Sequence, residues 1–200
     1  MSTNQSRAGP GLRPRRLLRP GLQTALAAIV DAPAAVVTNH LDVVAANGLG
    51  HALLAPVLGL AHPNLARFTF LEEETALTYY PEWAHVADAC VGRLRTAAAH
   101  DPHNRALHRL IGELSTASMA FGDRWSSQRA GTCWPVQERI CHPLVGDLEL
   151  TREELAPRLD RGLTLTIYGA KPGTATDERL RILASWTQDC AGATDGVAGP

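Results

Sequence analysis

Hydrophobic positions along the chain change their period from one region to the next. Leu22, Leu26 and Ile29 follow the three-to-four spacing of a helix, and two short apolar runs come directly after them. Asn39-His40 separates the two runs and predicts a tight hairpin, because Asn tolerates the positive φ that such a turn needs. This region therefore predicts a helix over 22–32, strands over 35–38 and 41–45, and a helix over 49–58.

The middle of the chain keeps the helical period throughout. Pro81 favours the start of a helix directly after Tyr80, since proline at the first helical position loses no needed N–H. Asp101-Pro102 favours the start of the next helix, with the Asp101 side chain as its cap. A shorter helix is expected around Phe121, so this region predicts a block of helices.

The last third of the chain returns to period two. Leu148 and Leu150 alternate with polar residues, and so do Leu163 and Leu165. Alternation of this kind predicts a sheet with one buried face. A final helix is expected over 176–189, where Thr174 and Asp177 suit a capping box.

Strands near both ends of the chain must pair through space to cover their hydrophobic face. The predicted fold class is therefore α+β, with an antiparallel sheet, a helical insertion between strands two and three, and flanking N- and C-terminal helices. The chain has 200 residues, of which 45% are hydrophobic, which is enough for one domain with a core. No apolar run is long enough to span a membrane.

Charge is distributed unevenly along the chain. The formal net charge is −1, but residues 1–20 carry five arginines and no acid, which leaves −6 for residues 21–200. We expect a flexible basic arm over 1–20, one domain over 21–190 and a disordered tail over 191–200. Arg15-Arg16 resembles the start of an export signal, but Pro33 would hinder cleavage, so a cytoplasmic location is predicted.

Sequence motifs for catalysis or for a resident cofactor are weak. The four cysteines have no zinc spacing and are interpreted as reduced thiols. Gly48-Leu49-Gly50 is half of a dinucleotide fingerprint and is interpreted as a turn. Cys141-His142 does not favour a thiol nucleophile, because neighbours in a strand point to opposite faces. We expect no enzyme, no cofactor and no metal.

Two acidic or histidine-rich segments have alternative interpretations. Glu72-Glu73-Glu74 is interpreted as the first turn of a short helix, with paired catalytic carboxylates as the alternative. His100, Asp101, His103 and His108 are interpreted as a solvated helix boundary. A metal site is the alternative, although it would need three or four convergent ligands.

Aromatic side chains concentrate in the helical insertion and suggest a pocket. One cation, Arg67, precedes them, and a cation among apolar groups is what a site for an amphipathic anion such as a fatty acid requires. The alternative is that the aromatics form the core and that Arg67 pairs with Glu72 or Glu73 at the surface. The aromatic residues concerned are Phe68, Phe70, Tyr79, Tyr80, Trp83, Phe121 and Trp125.

Six short motifs in order resemble the MmyB-like ligand-binding domain, the effector module of Xre-type helix-turn-helix regulators found in actinomycetes. The resemblance runs from about Arg13 to Trp186. The motifs are Leu18-Arg19-Pro20-Gly21-Leu22-Gln23, Asp31-Ala32-Pro33-Ala34, Leu41-Asp42-Val43-Val44-Ala45-Ala46-Asn47, Asn64-Leu65-Ala66-Arg67-Phe68, Tyr80-Pro81-Glu82-Trp83 and His142-Pro143-Leu144-Val145-Gly146-Asp147-Leu148.

The resemblance implies a PAS-like fold and a sensor that holds a fatty-acid-like small molecule, with a homodimer as the assembly. DNA would be reached only through a missing N-terminal domain or through a partner regulator, because about 20 residues are too few for a helix-turn-helix. The resemblance, together with the pattern of aromatics, gives Arg67, Phe68, Tyr80, Trp83, Phe121, Trp125 and His142 as ligand-binding candidates.

Two positions depart from the pattern of that family. The stretch after Trp125 lacks the usual His-Asp-Val, and Arg152 stands where a tyrosine is usual after a later strand. The leading function is a ligand-sensing effector domain of a transcription regulator. The alternatives are a freestanding interaction module that modulates a full-length regulator and, less favoured, a small enzyme.

Overall fold

A five-stranded antiparallel sheet with helices on both of its faces forms the frame of the domain. The computed structural model describes residues 18–127, 134 and 136–192. Within these residues the strands are β1 (Ala34–Thr38), β2 (Val43–Ala46), β3 (Gln137–His142), β4 (Gly146–Leu155) and β5 (Leu163–Gly169), in the order β2-β1-β5-β4-β3.

Most helices lie between β2 and β3, which confirms the predicted helical insertion and the α+β, PAS-like class. The described helices are α1 (Pro20–Ala28), α2 (Gly48–Leu53), α3 (Ala55–Leu58), α4 (Leu65–Leu71), α5 (Glu73–Tyr79), α6 (Trp83–His100), α7 (Arg105–Ala117), α8 (Met119–Ser126) and α9 (Ala175–Gly192).

Both faces of the central strands are buried, so the expectation of one buried face is wrong for β1 and β5. On the outer face, α1 covers Val36 and Leu165 with Leu22 and Leu26. On the inner face, the inserted helices cover the other side of the same strands. Strands buried on both sides lose the alternation of apolar and polar residues, which explains why every residue of β1 is buried.

The turn between β1 and β2 differs from the predicted one. The positive φ falls on Leu41, at 68°, and not on Asn39. Leu41 is fully buried, and its carbonyl accepts a hydrogen bond from the N–H of Leu65 at the start of α4. A left-handed leucine costs about 1–2 kcal/mol, which its burial and this hydrogen bond offset.

Several helix boundaries also differ from their predictions, and α1 ends at Ala28 where the prediction extended to residue 32. α7 is capped by Asn104, whose side-chain oxygen accepts from the N–H groups of Ala106 and Leu107, and not by Asp101. α6 begins at Trp83, two residues after Pro81. The helix expected over 49–58 is interrupted at Leu54. The acidic first turn of α5 and the helix around Phe121 agree with the predictions.

Asn47 and Gly50 explain the glycine pattern at the start of α2. The Asn47 side chain accepts from the N–H groups of Ala34 and Gly50 and donates to the carbonyls of Ile29 and Ala32. A Cβ at Gly50 would lie 2.2 Å from the Ala34 carbonyl oxygen, so only glycine fits there. The segment Gly48-Leu49-Gly50 is therefore the start of helix α2 and not a separate turn as predicted, and the close approach of Ala34 explains the glycine at position 50.

The first residues of the described part belong to the folded body. Leu18 is buried beneath the sheet, and Arg19 donates two hydrogen bonds of 2.9 Å to Asp160. Helix α9 continues to Gly192 and is capped by the predicted pair: Gly173 N–H donates to Asp177, and Asp177 N–H donates to Thr174. The rest of the expected arm and tail lies outside the described residues.

Candidate functional site

Two of the predicted ligand-binding residues lie together in a cluster that we call the tyrosine cluster: Phe68, Tyr79 and Tyr80. The rings of Phe68 and Tyr80 are 5.9 Å apart and nearly perpendicular, and Tyr79 contacts both. All three are buried. The Tyr79 hydroxyl donates to the Leu53 carbonyl at 2.6 Å, which fixes α5 against α2.

Three other predicted residues form a separate group between the helices, which we call the helix aromatic cluster: Phe70, Trp83, Phe121 and Trp125. Phe70 contacts Trp83 and Phe121, and Phe121 stacks on Trp125 at 5.5 Å. The Trp83 indole donates to the Thr69 carbonyl at 3.0 Å. Phe68 and Phe70 are two residues apart on α4 and serve the two different clusters.

Arg67 lies near the surface, where its guanidinium is held by a carboxylate. Nε and Nη2 donate to the two oxygens of Glu113 at 2.9 and 2.8 Å. The partner is therefore Glu113 on α7 and not Glu72 or Glu73. This two-point hydrogen bonding raises the pKa of Arg67 and lowers that of Glu113. A ligand carboxylate at Arg67 would have to compete with Glu113.

His142 is buried at the end of β3, where it joins the sheet to α2. Its Nε2 lies 3.1 Å from the Ala52 carbonyl oxygen, and its Nδ1 faces the N–H of Leu144 at 3.3 Å. Both ring nitrogens therefore have backbone partners, and the neutral ring with Nε2–H satisfies both contacts.

A different group of charged residues occupies the inner face of the sheet. We call it the inner-face charge cluster: Glu138, Arg152, Glu154 and Arg93. Alternation along β4 turns Arg152 inward after Leu148 and Leu150. The side chains of Arg152 and Glu138 are 1% and 3% exposed.

Hydrogen bonds in the inner-face charge cluster are unevenly distributed. Glu154 Oε1 accepts from Arg152 Nη2 at 2.7 Å and from Arg93 Nη1 at 2.8 Å. By contrast, Arg152 Nη1 lies 3.8 Å from Glu138 Oε2, which is too far for a hydrogen bond. Within the described part of the chain, Arg152 Nε, Arg152 Nη1 and Glu138 Oε2 have no hydrogen-bond partner.

Two aromatic rings lie against the Arg152 guanidinium, whose Nη2 is bonded to Glu154. Arg152 lies 4.0 Å from the ring centre of Trp134 and 5.8 Å from that of Tyr168. Contacts with π faces do not use the N–H groups of a cation, so Nε and Nη1 of Arg152 stay without a hydrogen-bond partner in the described part. The Tyr80 phenol lies within electrostatic range of the same pair.

Burial controls the protonation of these groups. It raises the pKa of Glu138, and the Arg152 charge offsets this only in part. Burial also raises the pKa values of Tyr80 and Tyr168, and that of Cys90 to about 12. For Arg152, burial lowers the pKa, but the neighbouring Tyr168, Glu138 and Glu154 raise it by more. The guanidinium therefore stays charged.

The positions of these charged residues along their strands predict that they are buried, although their residue types alone do not. Leu148, Leu150 and Arg152 have the same parity on β4, as Glu138 and Ile140 have on β3. A charged residue at an inward position, directly after apolar ones, predicts a buried charge. Arg152 stood out only as a departure from the usual tyrosine.

The histidine and cysteine side chains of the described residues are not grouped into a site. Among them, no group of three or more His, Cys, Asp or Glu side chains is arranged to hold a metal ion. His108 Nε2 contacts the Pro102 carbonyl oxygen at 2.7 Å, at the helix boundary. Cys90 and Cys141 are free thiols, while Cys133 and the Cys190 side chain lie outside the described part.

The strand order and the helical layer over the inner face of the sheet define an α+β domain. The model of the MmyB-like transcription regulator ligand binding domain matches residues 18–183, and the chain belongs to this family. No curated protein matches the chain. In the described part, no helix is long and apolar enough to cross a membrane.

Proposed function

We propose that this domain is the effector part of a transcription regulator and that it senses a fatty-acid-like molecule on the inner face of its sheet. The observation that carries the proposal is the buried guanidinium of Arg152, whose Nε and Nη1 have no hydrogen-bond partner in the described part. A buried donor without a partner costs about 1–3 kcal/mol, and a ligand oxygen would recover that cost.

The acyl chain would lie between the sheet and the inserted helices. Tyr80 of the tyrosine cluster interacts electrostatically with Arg152, and its ring packs against Phe68, which makes these two residues the lining candidates of this proposal. Trp83, Phe121 and Trp125 belong to the helix aromatic cluster, where they would act by supporting the helices. His142 is four residues from Glu138 along β3, roughly 13 Å away.

Calorimetric titration of the full chain with decanoate tests this function. We expect saturable binding that Arg152→Met weakens at least tenfold, because a charge-assisted hydrogen bond contributes about 1.5–3 kcal/mol. Arg152→Met/Glu138→Leu serves as a second variant that keeps the fold. Arg139→Met, on the exposed side of β3, is the matched control.

Arg67→Met decides between the two arginines. If decanoate is anchored at Arg152, Arg67→Met changes its affinity by less than threefold. A selective loss at Arg67 would return the anion site to α4. Absence of binding by decanoate and by longer acids, with the domain folded by circular dichroism, would refute the sensor function.

The proposal also covers assembly and location. Ile182 and Trp186, four residues apart on α9, are 47% and 44% exposed. Two apolar side chains on one helical face favour packing against a second copy. We therefore propose that the protein forms a homodimer in the cytoplasm. It would reach DNA through a helix-turn-helix domain or through a partner regulator. Light scattering should report a dimer that Trp186→Glu dissociates.

A further inference from the structure

The inner-face charge cluster is electrically balanced before any ligand binds. Two guanidinium groups, Arg152 and Arg93, face two carboxylates, Glu138 and Glu154. A ligand carboxylate at Arg152 would add one negative charge to a site that is shielded from water. Burying an uncompensated charge costs several kcal/mol, so a charged head group would bind poorly unless the site gains a proton.

Within the cluster, Glu138 is the carboxylate best suited to accept that proton. Glu154 accepts hydrogen bonds from two arginines, whereas Oε2 of Glu138 lies 3.8 Å from Arg152 Nη1 and has no hydrogen-bond partner in the described part. Burial already raises the pKa of the Glu138 carboxyl. A second carboxylate beside it would raise that pKa further, because like charges at close range do not both ionise.

We propose that this site admits a head group without net charge, so that a fatty acid binds together with one proton that Glu138 holds, whereas a fatty amide binds without one. This inference rests on the proposed function and adds its head-group chemistry. The proton comes from solvent, and the protonated Glu138 then donates a hydrogen bond to the ligand carboxylate, which also accepts from Arg152.

Other titratable groups near Glu138 do not supply this proton. Burial raises the pKa values of the tyrosine and cysteine side chains in this region, so they are neutral at physiological pH. They are Tyr79 on α5, Tyr80 directly after it, Tyr168 on β5 and Cys90 on α6. Arg152 stays charged, because its acidic neighbours raise its pKa by more than burial lowers it, and Trp134 does not titrate. The charged and titratable groups around Glu138 are therefore Arg152, Glu154, Tyr79, Tyr80, Tyr168 and Cys90, and Arg93 belongs to the cluster through its pair with Glu154.

Calorimetry of the full chain with decanoate and with decanamide tests the inference. Titrations at pH 6, 7 and 8 in phosphate and in imidazole separate proton uptake from intrinsic heat, because the two buffers differ in ionisation enthalpy. We expect uptake approaching one proton per decanoate and none per decanamide. Decanoate affinity should fall up to tenfold per pH unit over the alkaline part of this range, since one proton is linked to binding.

Glu138→Gln should abolish the proton uptake and flatten the pH dependence for decanoate. Glu153→Gln makes the same chemical change on the exposed side of β4 and should leave both as in the wild type. Wild-type binding of decanoate without proton uptake, or uptake that persists in Glu138→Gln, overturns the inference and leaves the sensor function standing. If neither probe binds the folded chain at any pH, the sensor function fails as well.

Discussion

Two of the arginine–glutamate pairs in the described part differ in burial and in hydrogen bonding. Arg67 and Glu113 lie near the surface with two short, parallel hydrogen bonds. Arg152 and Glu138 lie under the helices, 3.8 Å apart, with unpartnered polar atoms in the described part. In the surface pair the hydrogen-bonding atoms that face each other are already occupied. The buried pair leaves polar atoms without hydrogen bonds, which costs stability and leaves those atoms able to bind a ligand.

Removal of the buried cation gives the largest expected effect on stability. Arg152→Met should lower the free energy of unfolding by about 3–5 kcal/mol at pH 8, because Glu138 is left buried without its cation. Urea unfolding followed by circular dichroism measures this change. Arg139→Met, on the exposed side of β3, should change stability by less than about 0.5 kcal/mol.

Arg152→Met/Glu138→Leu should recover most of that loss. Replacing both members of a buried pair with apolar residues is often neutral or stabilising. If the double variant is as unstable as Arg152→Met, the guanidinium acts through packing against Trp134 and Tyr168, and the contrast between the two pairs disappears.

The two glutamates should respond to pH with opposite signs, which gives the second largest effect. Glu138 has a raised pKa in the folded state, so its ionisation opposes folding at high pH. This penalty fades as the pH falls through that pKa towards the ordinary value of about 4.3. Each unit of pKa difference corresponds to about 1.4 kcal/mol.

Chemical unfolding of the wild type and of Glu138→Gln between pH 8 and pH 5 measures this sign. The wild type should gain stability relative to Glu138→Gln as the pH falls. Glu153→Gln, on the other side of β4, should follow the wild type over the same range. A difference that is constant with pH would mean that Glu138 does not change its protonation in this range.

The contrast between the two pairs also shows what the sequence can predict. Period two in β4 and β5 and helical spacing in α6 and α7 depend on local chain geometry, so their existence was predictable. Which arginine becomes buried depends on strand parity and on helices distant in sequence. Arg67 has aromatic neighbours in sequence but pairs with Glu113 on another helix, 46 residues away. The pairing of Arg152 with Glu138 likewise needs the β3–β4 register.

Coupling within the surface pair is expected to be the third effect in size. A double-mutant cycle of Arg67→Met and Glu113→Gln should give an interaction energy of about 0.2–1 kcal/mol at pH 7, since both side chains are partly exposed to solvent. Urea unfolding of the four proteins supplies the numbers. A coupling above about 2 kcal/mol would make this pair as important as the buried one.

The dependence of this surface coupling on acid and salt is the smallest effect. The Arg67 hydrogen bonds lower the pKa of Glu113, so the stabilisation is complete above the unfolded pKa of about 4.3 and is lost as the pH falls through the folded value. Salt at about 1 M should weaken the coupling, because exposed charges are screened over about 3 Å. Unfolding at pH 7 and pH 3, at low and high salt, measures both changes. A coupling that survives at pH 3 would show that the two side chains interact through packing and not through charge.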